Sequence, residues 1–304
     1  MRIPLILLAL LSLSCATRQA SPVTSGEPAP EATPEATPEA TPAPAPTLAD
    51  LRGYPVEPRS LQREVVAALD IDPGPAPVLH VVSKEANDVT DDDAWWSSLG
   101  ATMPVQRDGE RPAGVSDTAS ARPLKQWWSQ GPYVFAQYGY NYAELPVLGV
   151  VKDGDPVGLF DFGAWTQPPT ILPGDEGFVA MHPLWAAVAE DTLLVCHGHR
   201  TYAKSSGGAN AFLTALNLSD GQIRWRSETT TCGSHFLLLG GYVVTGYGFT
   251  AEPDFVHVVS LKDGERVASH KVASSPDWFV RTGDGRIHVR TYNTNYVFAV
   301  GKPD

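Results

Sequence analysis

Leu213-Thr214-Ala215-Leu216-Asn217-Leu218-Ser219-Asp220-Gly221-Gln222-Ile223-Arg224-Trp225 reads as strand, tight turn and strand, and on that reading the fold depends. Leu213, Ala215 and either Leu216 or Leu218 lead into Ser219-Asp220-Gly221, where Asp-Gly suits a hairpin turn that needs positive φ; Ile223 and Trp225 then resume the alternation. A second copy, Leu261-Lys262-Asp263-Gly264 within 258–267, follows 43 residues on, counted from Asp220 to Asp263. A looser third, Val150-Val151-Lys152-Asp153-Gly154-Asp155-Pro156-Val157, lies 67 residues before the first. Repeats near this period are the mark of stacked units that bury their faces on one another.

From residue 130 onward strand patterns succeed one another at 133–140, 147–151, 157–162, 185–189, 192–197, 211–218, 222–225, 235–239, 242–246, 255–261, 266–270, 278–282, 286–291 and 297–300. Aligning Leu193, Val243 and Ile287 as inner strands gives three blades, with a fourth, weaker one before them. Ala215 to Trp225 resembles the repeat of PQQ-like, quinoprotein-type β-propellers, Ala-x-Asp-x-x-Thr-Gly-x-x-x-Trp, with Asn217 at the aspartate place and Asp220 at the threonine place. The second copy keeps Gly264 but carries Ala268 where the tryptophan belongs. The resemblance implies an all-β fold, a propeller or partial propeller of about four recognisable blades over 130–304, with a small helical N-terminal extension. The last blade ends after its third strand, so Val78–Val82 is expected to complete it and cover the open edge.

The N-terminus carries Arg2, an apolar run from Ile3 to Leu13 too short to span a bilayer, and small residues before Cys15. Leu11-Ser12-Leu13-Ser14-Cys15 resembles a bacterial lipobox, with Ser12 and Leu13 where that pattern has leucine and a small residue. The resemblance implies a signal over 1–15, lipidation of Cys15, and export to the outer membrane because Ala16 follows the cysteine. Residues 16–47 are almost wholly Pro, Ala, Thr, Glu and Ser, with Glu-Ala-Thr-Pro three times from Glu31 to Pro42. Such a segment cannot form a core and reads as an extended tether with a reach of about 90 Å at ~3.1 Å per residue.

Residues 48–129 read as an extension or degenerate blade. Ser60 to Leu69 is helix-like, and Thr90 with Asp93 fits a capping box for a short helix that Gly100 ends. The acidic group Asp88, Asp91, Asp92 and Asp93 lacks the spacing and glycine of a calcium loop. Residues 104–123 read as a long loop. Trp95-Trp96 and Trp127-Trp128 form two tryptophan pairs, either core or an exposed platform for a sugar or peptide.

A formal net charge of −12 and the absence of a basic run exclude nucleic acid as the expected partner. With Cys15 assigned to the anchor, Cys196 and Cys232 remain, and an exported chain most simply pairs them. His197 and His199 would share one face of a strand, and His235 beside Cys232 is a third donor for a metal site; the alternative is a disulfide with histidines packed around it. PQQ-dependent dehydrogenases bind their quinone beside adjacent cysteines, which this chain lacks, so no PQQ and no other cofactor is expected. The expected function is a non-enzymatic binding or scaffold module of the envelope, held at the membrane by its lipid and partnered by envelope proteins. The alternatives are a metal-dependent enzyme or hydrolase at His197/His199 and a surface carbohydrate-binding or adhesin module.

Overall fold

The structure is a computed structural model that describes residues 44–57, 62–88, 91–142, 144–165, 168 and 170–302. The signal with Cys15, residues 16–43 of the tether, Ser60, Leu61 and Thr90 lie outside the described residues. In chain order the strands are β1 (Tyr54–Pro55), β2 (Glu64–Val65) and β3 (Val78–Ala86), then, after helix α1 (Asp92–Ser98), β4 (Thr118–Ala119), β5 (Arg122–Gln130), β6 (Tyr133–Tyr138), β7 (Val147–Lys152) and β8 (Asp155–Asp161). There follow β9 (His182–Ala189), β10 (Thr192–Gly198), β11 (Phe212–Asn217), β12 (Ile223–Arg226), β13 (Leu237–Leu239), β14 (Tyr242–Tyr247), β15 (Phe255–Ser260) and β16 (Arg266–Lys271). The last three are β17 (Pro276–Arg281), β18 (Ile287–Thr291) and β19 (Thr294–Gly301). The fold is all-β, and its strands form four successive sheets of propeller type.

Each sheet is an antiparallel meander that begins on an inner strand: β5 to β8, β9 to β12, β13 to β16, and β17 to β19. The three Asp-Gly copies occupy the same corner, between the third and fourth strands of the first three sheets. Their turns differ in kind. At Asp153-Gly154, Lys152 pairs directly with Asp155 and both turn residues have positive φ (52° and 91°), the two-residue hairpin geometry. At the other two only the glycine does, Gly221 at 71° and Gly264 at 72°, and the loop closes by bonds from Gly221 N to Asn217 O (2.8 Å) and from Gly264 N to Ser260 O (2.9 Å). Asp220 and Asp263 brace these loops by accepting from the backbone two residues on. Leu193, Val243 and Ile287 lie on β10, β14 and β18, the second strands of their sheets and not the innermost ones.

The repeat motif works between sheets. Trp225, fully buried at the end of the second sheet, donates from Nε1 to Leu261 O (3.0 Å) in the third and lies over Gly264, where an added Cβ would come 2.4 Å from the indole. Phe160 takes the equivalent place against Gly221 one sheet earlier. The third sheet has exposed Ala268 at this position, and the reason lies in the fourth: that sheet has no turn between a third and a fourth strand on which an indole could dock. Its outer strand is β3, paired antiparallel with β19 from Val78↔Gly301 to Ala86↔Thr294. The expected closure by Val78–Val82 is therefore present, and longer than the sequence suggested.

Residues 48–129 are not a separate extension. Leu48 is buried in the first sheet's core, while β1 adds parallel to β8 and β2 antiparallel to β12. Leu69 N then bonds to Lys262 O in the third sheet before β3 joins the fourth, so the arm crosses the outer edges of all four sheets in order. Pairing with β12 overrides the helical spacing: residues 62–69 form β2 and turns, and no helix occurs there. The boundary at 129/130 falls inside the first sheet, because β5, whose first two residues fall in the expected loop 104–123, is its inner strand. The helix after the acidic run is present as α1, capped by Asp91, whose carboxylate accepts from Asp93 N, and followed by Gly100 at φ +68°.

Candidate functional site

The inner strands β5, β9 and β17, and the segment leading into β13, contribute one large ring each to the molecular axis. Trp128 stacks on Trp185 (4.7 Å between centroids), Trp185 meets His235 (4.2 Å), and His235 meets Trp278 (5.2 Å). Trp185 and Trp278, from non-adjacent sheets, also touch edge to face at 6.5 Å. Helix α1 adds Trp96 against His235 and Trp278 at 6.2 and 5.8 Å. Such a cluster fills the space where inner strands converge, and edge and stacked ring pairs contribute about 0.5–1.5 kcal/mol each beyond area burial. Both tryptophan pairs are consumed by packing: Trp95 and Trp96 are 4% and 7% exposed, Trp127 and Trp128 6% and 0%. Of the two alternatives the core is the one adopted and the exposed platform is corrected: Trp128 packs on the second sheet, Trp95 and Trp96 on the fourth, and Trp127 is buried in the first sheet's own core.

Cys196 and Cys232 are bridged, with Cα atoms 5.5 Å apart, tying β10 to the segment that enters the third sheet. The three histidines around them do not converge. His197 is enclosed between Trp165 and Phe212, its Nε2 2.9 Å from Thr214 Oγ1, and burial together with the nearby Arg226 guanidinium holds its pKa well below the ordinary value. His235 belongs to the aromatic axis, where burial pulls it down to about 3. His199 lies past the end of β10 with Nε2 2.7 Å from Ser206 Oγ, pulled down to about 4 by burial. No group of three His, Cys, Asp or Glu side chains with metal-binding geometry occurs among the described residues. The bulge in the β10–β9 pairing between Cys196 and His197 and the end of the strand at Gly198 remove the regular alternation on which the shared face depended.

His199 and Ser206 are the nearest approach to a nucleophile and base, and their polarity is wrong for that role. Ser206, 1% exposed, has Ala203 O and Ala209 O within 3.1 and 3.0 Å, so its single proton goes to a carbonyl and its oxygen accepts from His199 Nε2. The pair fastens the short 3-10 turn Ala203–Ser206 inside the β10–β11 loop.

The solvent-facing chemistry sits at the end of the axis where the inner strands begin. Here the β6–β7 loop, the β10–β11 loop, the start of β9 and the segment before β4 enclose a cavity of about 310 Å³. Gln126 and Gln137 form a chain across its wall: Gln126 Nε2 donates to Gln137 Oε1 (2.5 Å), and Gln137 Nε2 to Pro183 O (2.9 Å). His182 presents the third polar group, its Nδ1 3.3 Å from Ala180 O, and burial together with Arg200 holds its pKa down to about 4, so the ring is neutral at pH 7. Arg107, stacked over Tyr142 at 5.4 Å, and Arg200 stand at the mouth. Close by, Asp277 is pushed up to about 6 by burial and by Asp92. None of these residues is singled out by sequence motifs. The cavity residues come from separate strands and loops between 107 and 200, and only the convergence of the sheets gathers them.

No family model and no curated protein matches the chain. Solved structures do. It is similar to BamB from Moraxella catarrhalis (TM-score 0.30, 10% identity, 73% of this chain and 97% of that one) and to the dihydro-heme d1 dehydrogenase NirN (0.36, 12%, 57% and 34%). It is also similar to a protein of unknown function from Bacteroides caccae (0.32, 12%, 54% and 53%). The chain spans about half or less of the length of the first solved structures it matches, 53% and 34%.

Proposed function

We propose that this chain is an envelope-anchored lipoprotein whose PQQ-like propeller domain is a non-enzymatic binding scaffold, lipidated at Cys15 and engaging an envelope protein through the end of the axis where the inner strands begin. The observation that carries the reading is the contrast between a filled axis and a ligand-ready end. Aromatic rings occupy the centre, where a cofactor-using propeller would need space, whereas the loops at that end expose Tyr140 (67%), Tyr142 (53%), Phe178 (67%) and Tyr292 (80%), with Tyr142 sharing the cavity mouth with Arg107 and Arg200. Tyrosine and arginine are enriched among the residues that carry interface energy: tyrosine buries large area with few rotors and keeps a polar tip, and arginine brings a planar guanidinium that stacks and donates several hydrogen bonds. The anchor and tether suit a module that reaches a partner while staying at the membrane.

The test is in-cell crosslinking followed by capture of the tagged full-length protein. Recovery of a defined envelope protein that a Tyr140→Ala, Tyr142→Ala, Tyr292→Ala variant no longer recovers supports the reading. Recovery unchanged in that variant overturns the assignment of this face, and release of the wild-type protein in soluble form without lipid overturns the anchor.

A further inference from the structure

The cavity at the start of the inner strands has a charge character that the chain as a whole does not share. The protein carries a net charge of −12, yet Arg107 and Arg200, both exposed at this mouth, make no ion pair among the described residues. Asp277 is the carboxylate whose field Arg200 feels, and it stands outside ion-pair distance. Seven other arginines, by contrast, are each within 4.0 Å of a carboxylate. The side chains between the two guanidiniums are neutral: Gln126 and Gln137 are fixed by their hydrogen-bond chain, and His182 is uncharged at pH 7. Leu145, Pro183 and Leu184 supply an apolar lining. Two unpaired forks over a neutral, preorganised wall are complementary to a planar anion, which a guanidinium can grip through two parallel N–H···O bonds. The volume, about 310 Å³, lies at the small end of ligand sites and admits a short dicarboxylic acid or the last one or two residues of a peptide.

We propose that this cavity binds a carboxylate group, held by Arg107 and Arg200, with the attached carbon chain against Leu145, Pro183 and Leu184. The inference rests on the binding-scaffold reading for its biological sense, but its chemistry is testable apart from it. A small organic acid and a peptide with an acidic or free C-terminal residue share that chemistry, and the test separates them.

Titration calorimetry on the purified full-length chain would use glutarate and its neutral counterpart glutaramide, and the N-acetylated tripeptide Gly-Ala-Glu and its neutral counterpart, N-acetylated Gly-Ala-Gln-amide. Expected is saturable one-to-one binding of a carboxylate probe, weakened about tenfold by either Arg107→Gln or Arg200→Gln, in line with loss of one charge-assisted contact. Arg200→Lys should recover part of the affinity. Binding of Gly-Ala-Glu alone assigns a peptide, and binding of glutarate alone a small acid. The proposal is overturned if the neutral probes bind as well as the charged ones, if neither carboxylate binds, or if both arginine variants bind as wild type. Because both arginines are exposed, thermal melting of the variants should match wild type, and a variant that does not melt normally is replaced by Arg→Met at the same position. If the arginine variants lose the probes yet still capture the envelope partner, the cavity stands and the scaffold uses another surface. If they bind the probes as wild type while partner capture persists, the scaffold stands and the carboxylate site falls.

Discussion

Replacing Gly264 by alanine tests whether the repeat motif is a docking device between sheets. The backbone there has φ +72°, a conformation that costs an L-residue about 1 kcal/mol. The added Cβ would also lie 2.4 Å from Trp225 Cε3 and 2.8 Å from Cζ3, and overpacking a filled interface costs about 1–3 kcal/mol more. Gly264→Ala should therefore destabilise by about 2–4 kcal/mol. The molecule contains its own control in Gly221, which has nearly the same φ, +71°, but whose Cβ would meet Phe160 at 3.4 Å, ordinary contact. Gly221→Ala should cost about 1 kcal/mol, the backbone part alone. In a Trp225→Leu background, itself about 3 kcal/mol less stable through lost area and the lost bond to Leu261 O, Gly264→Ala should fall to about 1 kcal/mol, a coupling of about 1–3 kcal/mol. Urea unfolding of the oxidised protein, read as midpoints at constant slope, measures all four. The reasoning is refuted if Gly264→Ala is no worse than Gly221→Ala, or if its penalty is the same with and without the indole.

Acid should unfold the protein. His182, His235 and His257 are pulled down to about 4, 3 and 3, chiefly by burial, so below pH 6.5 the unfolded chain binds protons that the folded one refuses. Stability is intact above pH 6.5 and falls by about 2 kcal/mol per histidine by pH 5, with Asp277, held up at about 6, working in the opposite sense; urea midpoints that do not move between pH 7.5 and 5 would contradict this. Reducing the Cys196–Cys232 bridge, which closes a separation of 36 residues, should cost up to about 4 kcal/mol on the chain-entropy model, measured as the difference between oxidised protein and a Cys196→Ala, Cys232→Ala variant. Deleting residues 78–86 should expose the β19 edge and produce concentration-dependent association in sedimentation, whereas a monomeric, normally melting deletion would show that the ladder is dispensable.

Much of the fold can be read along the chain because its signals are local. Strand alternation from Tyr133 to Val300, the Asp-Gly corners and the missing fourth strand after Val300 all arise from residues within a few positions of one another, and the sheets follow them closely. The disulfide was likewise legible from counting, since few pairings were open. What misled was local pattern without its partner. Residues 62–69 have helical spacing but meet the edge of β12, where backbone pairing satisfies them better than a short exposed helix, and β5 interrupts its apolar pattern with Lys125 at a register shift and Gln126 facing the cavity and not a core.

The histidines and tryptophans show the other limit. His197, His199 and His235 are close in sequence to one disulfide, yet a bulge and the end of a strand send them to an aromatic cage, a loop staple and the molecular axis. The indoles of Trp95, Trp96, Trp127 and Trp128 look the same on paper whether they face solvent or one another, and only packing among the sheets buried them. Repeat, register and closing strand are consequences of periodicity, which a chain carries in its own order. The cavity holding Arg107, Gln126, Gln137, His182 and Arg200 is a consequence of convergence, because residues far apart in sequence become neighbours only when inner strands of successive sheets start at the same end of one axis.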